Sequence, residues 1–168
     1  SPGTLLNLHK GIRLNTYSPS YSKAQSVQTI VTRRHQTDGF LIAWTDGGCE
    51  PNPGPGGWGY SVEKDGAVLR EDCGGEEDTT NNRMELAAIL WALEDTAGHI
   101  IIRTDSQLCV LCATGRWKRK TNLDQWQELD KLCSDRTVLF EWWRGHCGTP
   151  GNERADELAQ KGRLSVCA

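Results

Sequence analysis

The 168-residue chain has no apolar run approaching the roughly 20 residues that a membrane-spanning helix needs, which excludes a helical membrane protein. No internal repeat is visible. Near the start the only apolar cluster is Leu5, Leu6 and Leu8, so the opening residues do not read as a signal peptide. A disulfide framework is missing too. The seven cysteines are odd in number and scattered through expected strands and helices, which points to a reducing compartment, cytoplasmic or organellar. Cys109 and Cys112 have metal-like or redox-like spacing, but no second pair follows at zinc-site distance, and they read as small buried hydrophobes on a helix. Finally, no acid precedes Asp38. Residues 1–38 hold five of the 19 basic side chains and one of the 22 acids, which leaves 14 basic and 21 acidic residues for the rest. The compact part is therefore acidic, within a net charge of −3. That balance argues against a general nucleic-acid coat, and it requires any anionic substrate to be met by local basic clusters or bound cations.

What is present suits one domain with a substantial core. Residues 1–38, rich in Ser, Thr, Gln and Asn and without a sustained period, read as an N-terminal arm packed on that domain; 39–163 is the domain and 164–168 a tail. The run 40–45 is a short buried strand leading into Asp46 and a Gly/Pro-rich stretch, where Asp46 is expected to open a turn. A second strand (58–63), an Asp65-Gly66 hairpin and a third strand (67–73) follow. A helix is expected over 79–96, with Met84, Ala87, Ala88, Trp91 and Ala92 on its buried face. The fourth strand, 100–104, is apolar on both faces and ends at Asp105. Then come a short helix (106–113), a basic loop (115–120), a helix marked by Leu123, Trp126, Leu129 and Leu132, a fifth strand (138–143) and a last helix (150–162) opened by Pro150. The order βββαβααβα predicts an α/β domain in which strands four and five, reached through helical crossovers, lie parallel to the first.

This topology places Asp46 and Asp105 at neighbouring strand ends, the edge where open α/β sheets bind ligands. Glu85 and Asp156 fall in the early turns of two helices. Each acid has an innocent reading: Asp46 as a turn former, Asn82 with Glu85 as a capping box, Asp156 as a charge favourable near a helix N-terminus. Four acids converging on one edge would repel strongly, and that convergence implies divalent cations.

Four motifs then stand in order: WTDGGCEPNPGPGGWG (44–59), TTNNRMEL (79–86), RTDSQ (103–107) and RGHCGTPGNERADELA (144–159). Together they resemble the type 1 ribonuclease H family in its cellular, bacterial-like form. The resemblance implies a ribonuclease H-like fold, a five-stranded mixed sheet with helices on both faces. It also implies an endonuclease that hydrolyses the RNA strand of RNA–DNA hybrids, leaving a 5′-phosphate and a 3′-hydroxyl. Asp46, Glu85, Asp105 and Asp156 match the family's metal-binding acids, and His146 matches a loop histidine that assists proton transfer or product release. The resemblance further implies two Mg²⁺ ions, replaceable by Mn²⁺, roughly 3.5–4 Å apart at the scissile phosphate. The all-carboxylate set suits magnesium and not zinc.

By the same resemblance Asn52, Asn81 and Gln107 match minor-groove contacts, where amide groups suit the 2′-hydroxyl, and Cys49 shares their turn. Asn81 as a cap and Gln107 as a helix-start residue are the structural alternatives. Thr80 matches part of a pocket for a phosphate of the DNA strand. Two departures stand out. Asp78 occupies a position where the family often has arginine, which weakens that pocket. The basic loop is reduced to Arg116, Lys118, Arg119 and Lys120 around Trp117, the remaining candidates for backbone contact. The partner expected is a hybrid duplex bound by a monomer with no membrane association. A non-catalytic hybrid-binding module and a DNA-directed nuclease of the same fold are the two other readings.

Overall fold

Alternation of apolar side chains builds the sheet. In the computed structural model, which describes residues 34–167, β1 (Leu41–Cys49), β2 (Gly54–Lys64) and β3 (Ala67–Thr79) form an antiparallel meander. At the β2–β3 turn both Asp65 and Gly66 have positive φ (51° and 82°), the backbone a two-residue hairpin requires. β4 (Ile100–Thr104) and β5 (Val138–Trp142) add in parallel, giving the order β3-β2-β1-β4-β5. The helices are α1 (Asn81–Glu94), α2 (Gln107–Ala113), α3 (Leu123–Leu132) and α4 (Pro150–Leu164). The five-stranded mixed sheet expected from the sequence is present. The arm's residues 1–33 and Ala168 lie outside the described residues.

Successive strand residues serve opposite faces. Ala43, Tyr60, Val62, Ile100, Ile102 and Phe140 are buried in the main core with Met84, Ile89, Leu93, Trp126 and Leu129 from α1 and α3. On the other face Ile42 and Trp44 pack with Ala155 of α4 and with Trp143. Cys109 and Cys112 are buried in α2, as expected; enclosure pushes the Cys109 thiol far above its usual range.

Several boundaries differ from expectation. β1 does not stop at Thr45. It continues through Asp46, Gly47, Gly48 and Cys49, because β2 starts early, at Gly54, and supplies Gly59 to Gly56 as pairing partners. β3 likewise runs on to Thr79. Trp91 is 45% exposed and lies outside the buried face of α1, stacked on Trp58 with ring centroids 5.4 Å apart. Leu123 is also exposed.

Candidate active site

Parallel pairing between β1 and β4 ends at Thr45 and Thr104, so the next residue on each strand is an acid, Asp46 or Asp105. The Trp142 indole N–H fixes the second of these positions by donating to the Asp105 carbonyl at 2.9 Å. Gly47 brings in the third acid. A Cβ there would run into the α1 backbone at Met84 and Glu85, so α1 can lie directly on β1 beside Asp46. α1 is capped by Thr80, whose hydroxyl accepts from the Arg83 N–H at 3.2 Å, and not by Asn82. Glu85 therefore lies beyond the cap and takes no part in a capping box. Instead, ligand atoms of Asp46, Glu85 and Asp105 all lie within 4.8 Å of one another.

Asp156, in the second turn of α4, stands outside this tight trio but lines the same hollow of about 360 Å³, as does His146. Its carboxylate accepts from the Gln160 amide at 3.0 Å. His146 is exposed and has a positive φ of 55°. The neighbouring Gly145 lets the loop backbone press against Asp105, since a Cβ there would sit 2.5 Å from its Oδ2.

The trio is short of positive charge. Burial, followed by the charge on Asp105, pushes the Asp46 carboxyl up to about 8. Glu85 is driven well above the carboxylate range by burial and then by Asp46 and Asp105, although the Gly47 N–H opposes the rise. Asp105 is raised by burial too, with the Asn152 amide and His146 opposing. Without a cation, burial and mutual repulsion favour the protonated forms of these groups. Hard oxygen donors converging on one point, with depressed acidity and no basic side chain paired to them among the described residues, fit a divalent cation.

The RNase H family model matches residues 38–163, a span that contains all of these groups. The chain belongs to the ribonuclease H family. It is similar to the ribonuclease H of Jannaschia sp., 48% identical over 141 residues covering 73% of this chain and 90% of the relative. It is also similar to that of Ruegeria sp. (strain TM1040), 47% identical with the same coverage. Among solved structures it is similar to LC11-RNase H1 in complex with an RNA/DNA hybrid: TM-score 0.69 and 28% identity, covering 76% of this chain and 99% of that one. The N-terminal RNase H domain of a Mycobacterium tuberculosis protein gives a TM-score of 0.70 and 29% identity, with 77% and 96% coverage. As a ribonuclease H the chain is a metal-dependent hydrolytic nuclease. The 141 aligned positions take up only 73% of 168 residues, so the Jannaschia relative carries residues without counterpart here.

Around this ribonuclease H centre, the expected contact residues form a small network. The Asn81 Oδ1 accepts from the Cys49 N–H at 2.7 Å, leaving its amide N–H₂ to donate elsewhere. The Asn52 Oδ1 accepts from the Asn81 N–H at 3.1 Å and from the Cys49 thiol at 3.2 Å. Asn81 is thus not the cap of α1. Gln107 is the first residue of α2, which Ser106 caps. Asp78 is exposed.

The basic loop divides in two. Trp117, Lys118 and Lys120 are exposed, whereas Arg116 is 3% exposed and donates to the Thr114 carbonyl at 2.7 Å. Arg119 pairs with Asp130 at 2.8 Å and lies over the Trp126 ring. Two of the four basic side chains expected at the surface therefore serve the fold. The sequence reading also passed over three contributors, Gly47, Thr104 and Asn152. Thr104 Oγ1 lies 3.4 Å from the Glu85 carboxylate, and Asn152 is buried beside Asp105. Gly47 alone left a sequence signal, as a glycine directly after a candidate ligand.

Proposed function

We propose that this chain hydrolyses the RNA strand of RNA–DNA hybrids, leaving a 5′-phosphate and a 3′-hydroxyl, with Asp46, Glu85, Asp105 and Asp156 holding two Mg²⁺ ions for which Mn²⁺ can substitute. The observation that carries this reading is the convergence of Asp46, Glu85 and Asp105 within 4.8 Å, with all three carboxyl groups raised. When bound, the ions supply activation of the attacking water and stabilisation of the departing 3′ oxygen.

The chain's own groups do the rest. A P–O bond forms to water as the P–O3′ bond breaks, and one proton must reach the 3′ oxygen while another leaves the water. His146, exposed at the rim of the acid hollow, is placed to carry a proton between site and solvent or to help the product leave. Thr104 and Asn152 orient Glu85 and Asp105. Asn81, Asn52 and Gln107 supply amide groups suited to a 2′-hydroxyl, the group that separates RNA from DNA. Thr80 contributes to a phosphate pocket for the DNA strand, and Trp117, Lys118 and Lys120 are the exposed part of the basic loop that meets the backbone. The catalytic unit spans 39–163, acts as a monomer in a reducing compartment, and carries the arm 1–38 as an accessory.

Labelled hybrid, duplex DNA and duplex RNA, each incubated with Mg²⁺ and with chelator, test the reading on one gel. Cleavage confined to the hybrid and to the metal lanes is expected. Cutting of duplex DNA would make the chain a DNA-directed nuclease of the same fold, and tight hybrid binding without cutting would make it a binding module.

A further inference from the structure

Asp156, Gln160 and Arg163 recur on α4 at i, i+4 and i+7, which places them on one helix face. They line a second hollow, about 310 Å³, whose opposite wall carries Asp46, Cys49 and Asn81. Asp46 and Asp156 therefore face both hollows, and Arg163 stands at the far end of the second. Seven residues of helix put it about 10.5 Å along the axis from Asp156, a nucleotide or two along a strand.

Its backbone is held there. A Cβ on Gly57 would lie 2.9 Å from the Arg163 Cα, and Gly162 lies against the backbone of Gly74 and Gly75. Helix and sheet meet main chain to main chain, so the last turn of α4 cannot shift toward the sheet.

The charge of Arg163 is also uncommitted. Arg83, Arg103, Arg119 and Arg154 are each held by a carboxylate. Among the described residues Arg163 makes no ion pair, and its polar contact is Nη1 at 3.8 Å from the Cys167 sulfur. It is half-buried and is the one basic side chain lining this hollow.

We propose that Arg163 binds a phosphodiester of the strand being cut, a nucleotide or two from the scissile bond; this rests on the hybrid-cleaving function proposed above. The walls of the hollow are acidic, and an anionic strand crossing them needs a cation beyond the metal centre. A guanidinium fork suits a phosphate in that place.

The test is steady-state kinetics of the wild type, Arg163→Gln and Arg163→Lys on a hybrid over a range of salt, with melting temperatures measured in parallel. Arg163→Gln is expected to raise KM about tenfold, as for loss of a charge-assisted hydrogen bond, to change kcat by less than about twofold, and to flatten the salt slope of log KM by about 1. Arg163→Lys is expected to keep the slope and recover part of KM. Hybrids with single neutral methylphosphonates then locate the contact. At one position the wild type loses the same factor as Arg163→Gln, and the variant loses nothing more. An unchanged KM and slope, a lowered melting temperature alone, or equal wild-type and variant losses at every methylphosphonate overturns the assignment. If the wild type neither binds nor cleaves the hybrid, the functional reading falls and this one with it. Wild-type cleavage indifferent to Arg163 removes this inference alone.

Discussion

Two sites along the same sheet enclose carboxylates and treat them in opposite ways. Glu141 on β5 is fully buried and fully served: the His35 N–H donates at 2.6 Å, its ring Nδ1 lies 3.0 Å away, the Trp143 indole donates at 2.9 Å and Arg103 pairs at 2.9 Å. Burial alone would raise its carboxyl, but the hydrogen bonds from His35 and Trp143 and the Arg103 charge hold it below the ordinary value. At the other site, Asp46, Glu85 and Asp105 have each other for neighbours, and all are raised. The contrast shows that this chain can neutralise a buried acid with its own residues and does not do so at the strand ends. A structural acid is finished by folding, whereas the trio is left for a cation from solution to complete.

The largest expected effect comes from removing a charge at the unfinished site. Asp46→Asn is expected to lower turnover by at least about a thousandfold, since metal-assisted stabilisation of the transition state is worth several kcal/mol. The same substitution is expected to raise the metal-free melting temperature at pH 8, because it removes one of three repelling charges. A metal-free variant less stable than the wild type at that pH would break the contrast.

At the finished site the sign reverses. Glu141→Ala leaves Arg103 unpaired in a nearly enclosed position and is expected to cost about 3–5 kcal/mol in urea denaturation. Turnover by the molecules that remain folded is expected to persist. A loss below about 1 kcal/mol would show that Arg103 reaches solvent on its own.

The two sites also respond oppositely to pH. For Asp46 the folded value, about 8, lies above the unfolded one, so the folded state binds more protons between the two. Metal-free stability is therefore expected to fall as pH rises from about 4 toward 8. Glu141, held below its ordinary value, contributes stability that is lost only as pH falls through the acid range. Thermal melts from pH 4 to 8 read both limbs. Saturating Mg²⁺ is expected to raise the melting temperature strongly at pH 8 and little at pH 4, where the ligands are protonated. Equal increments at both ends would mean that the ion binds elsewhere.

The smallest effect belongs to His35→Ala, which removes one of the groups serving Glu141 and leaves Arg103, Trp143 and the backbone N–H. A loss of about 1 kcal/mol with unchanged KM is expected. A fall in hybrid affinity instead would tie the residues ahead of β1 to substrate.

The acids themselves were legible because their setting is local: a strand pattern, then Asp46 or Asp105, and a helix pattern opened near Glu85 or Asp156. Topology was legible for the same reason, from the hairpin at Asp65-Gly66 and the crossover lengths. Long-range pairing was not. The extension of β1 through Gly47 and Gly48 depends on Gly56 to Gly59 lying alongside, and a Gly/Pro-rich run read alone looks like a turn. The inward course of Arg116 and Arg119 depends on the Thr114 carbonyl and on Asp130, contacts that no periodicity announces. The Glu141 site joins residues 106 positions apart, His35 and Glu141, through a carboxylate on a strand that otherwise reads as apolar.

Along the seam where Gly57, Gly59, Gly74 and Gly75 meet α4, main chain lies against main chain. Two protein surfaces normally touch through a cushion of side chains that can rearrange when either is altered, but here the cushion has been removed. The width of the cleft between Asp46 and Asp156 is fixed by peptide thickness, so a single methyl group added at Gly57 or Gly59 should act as a wedge, prising the jaw open at its hinge while leaving every chemical group in the cleft intact.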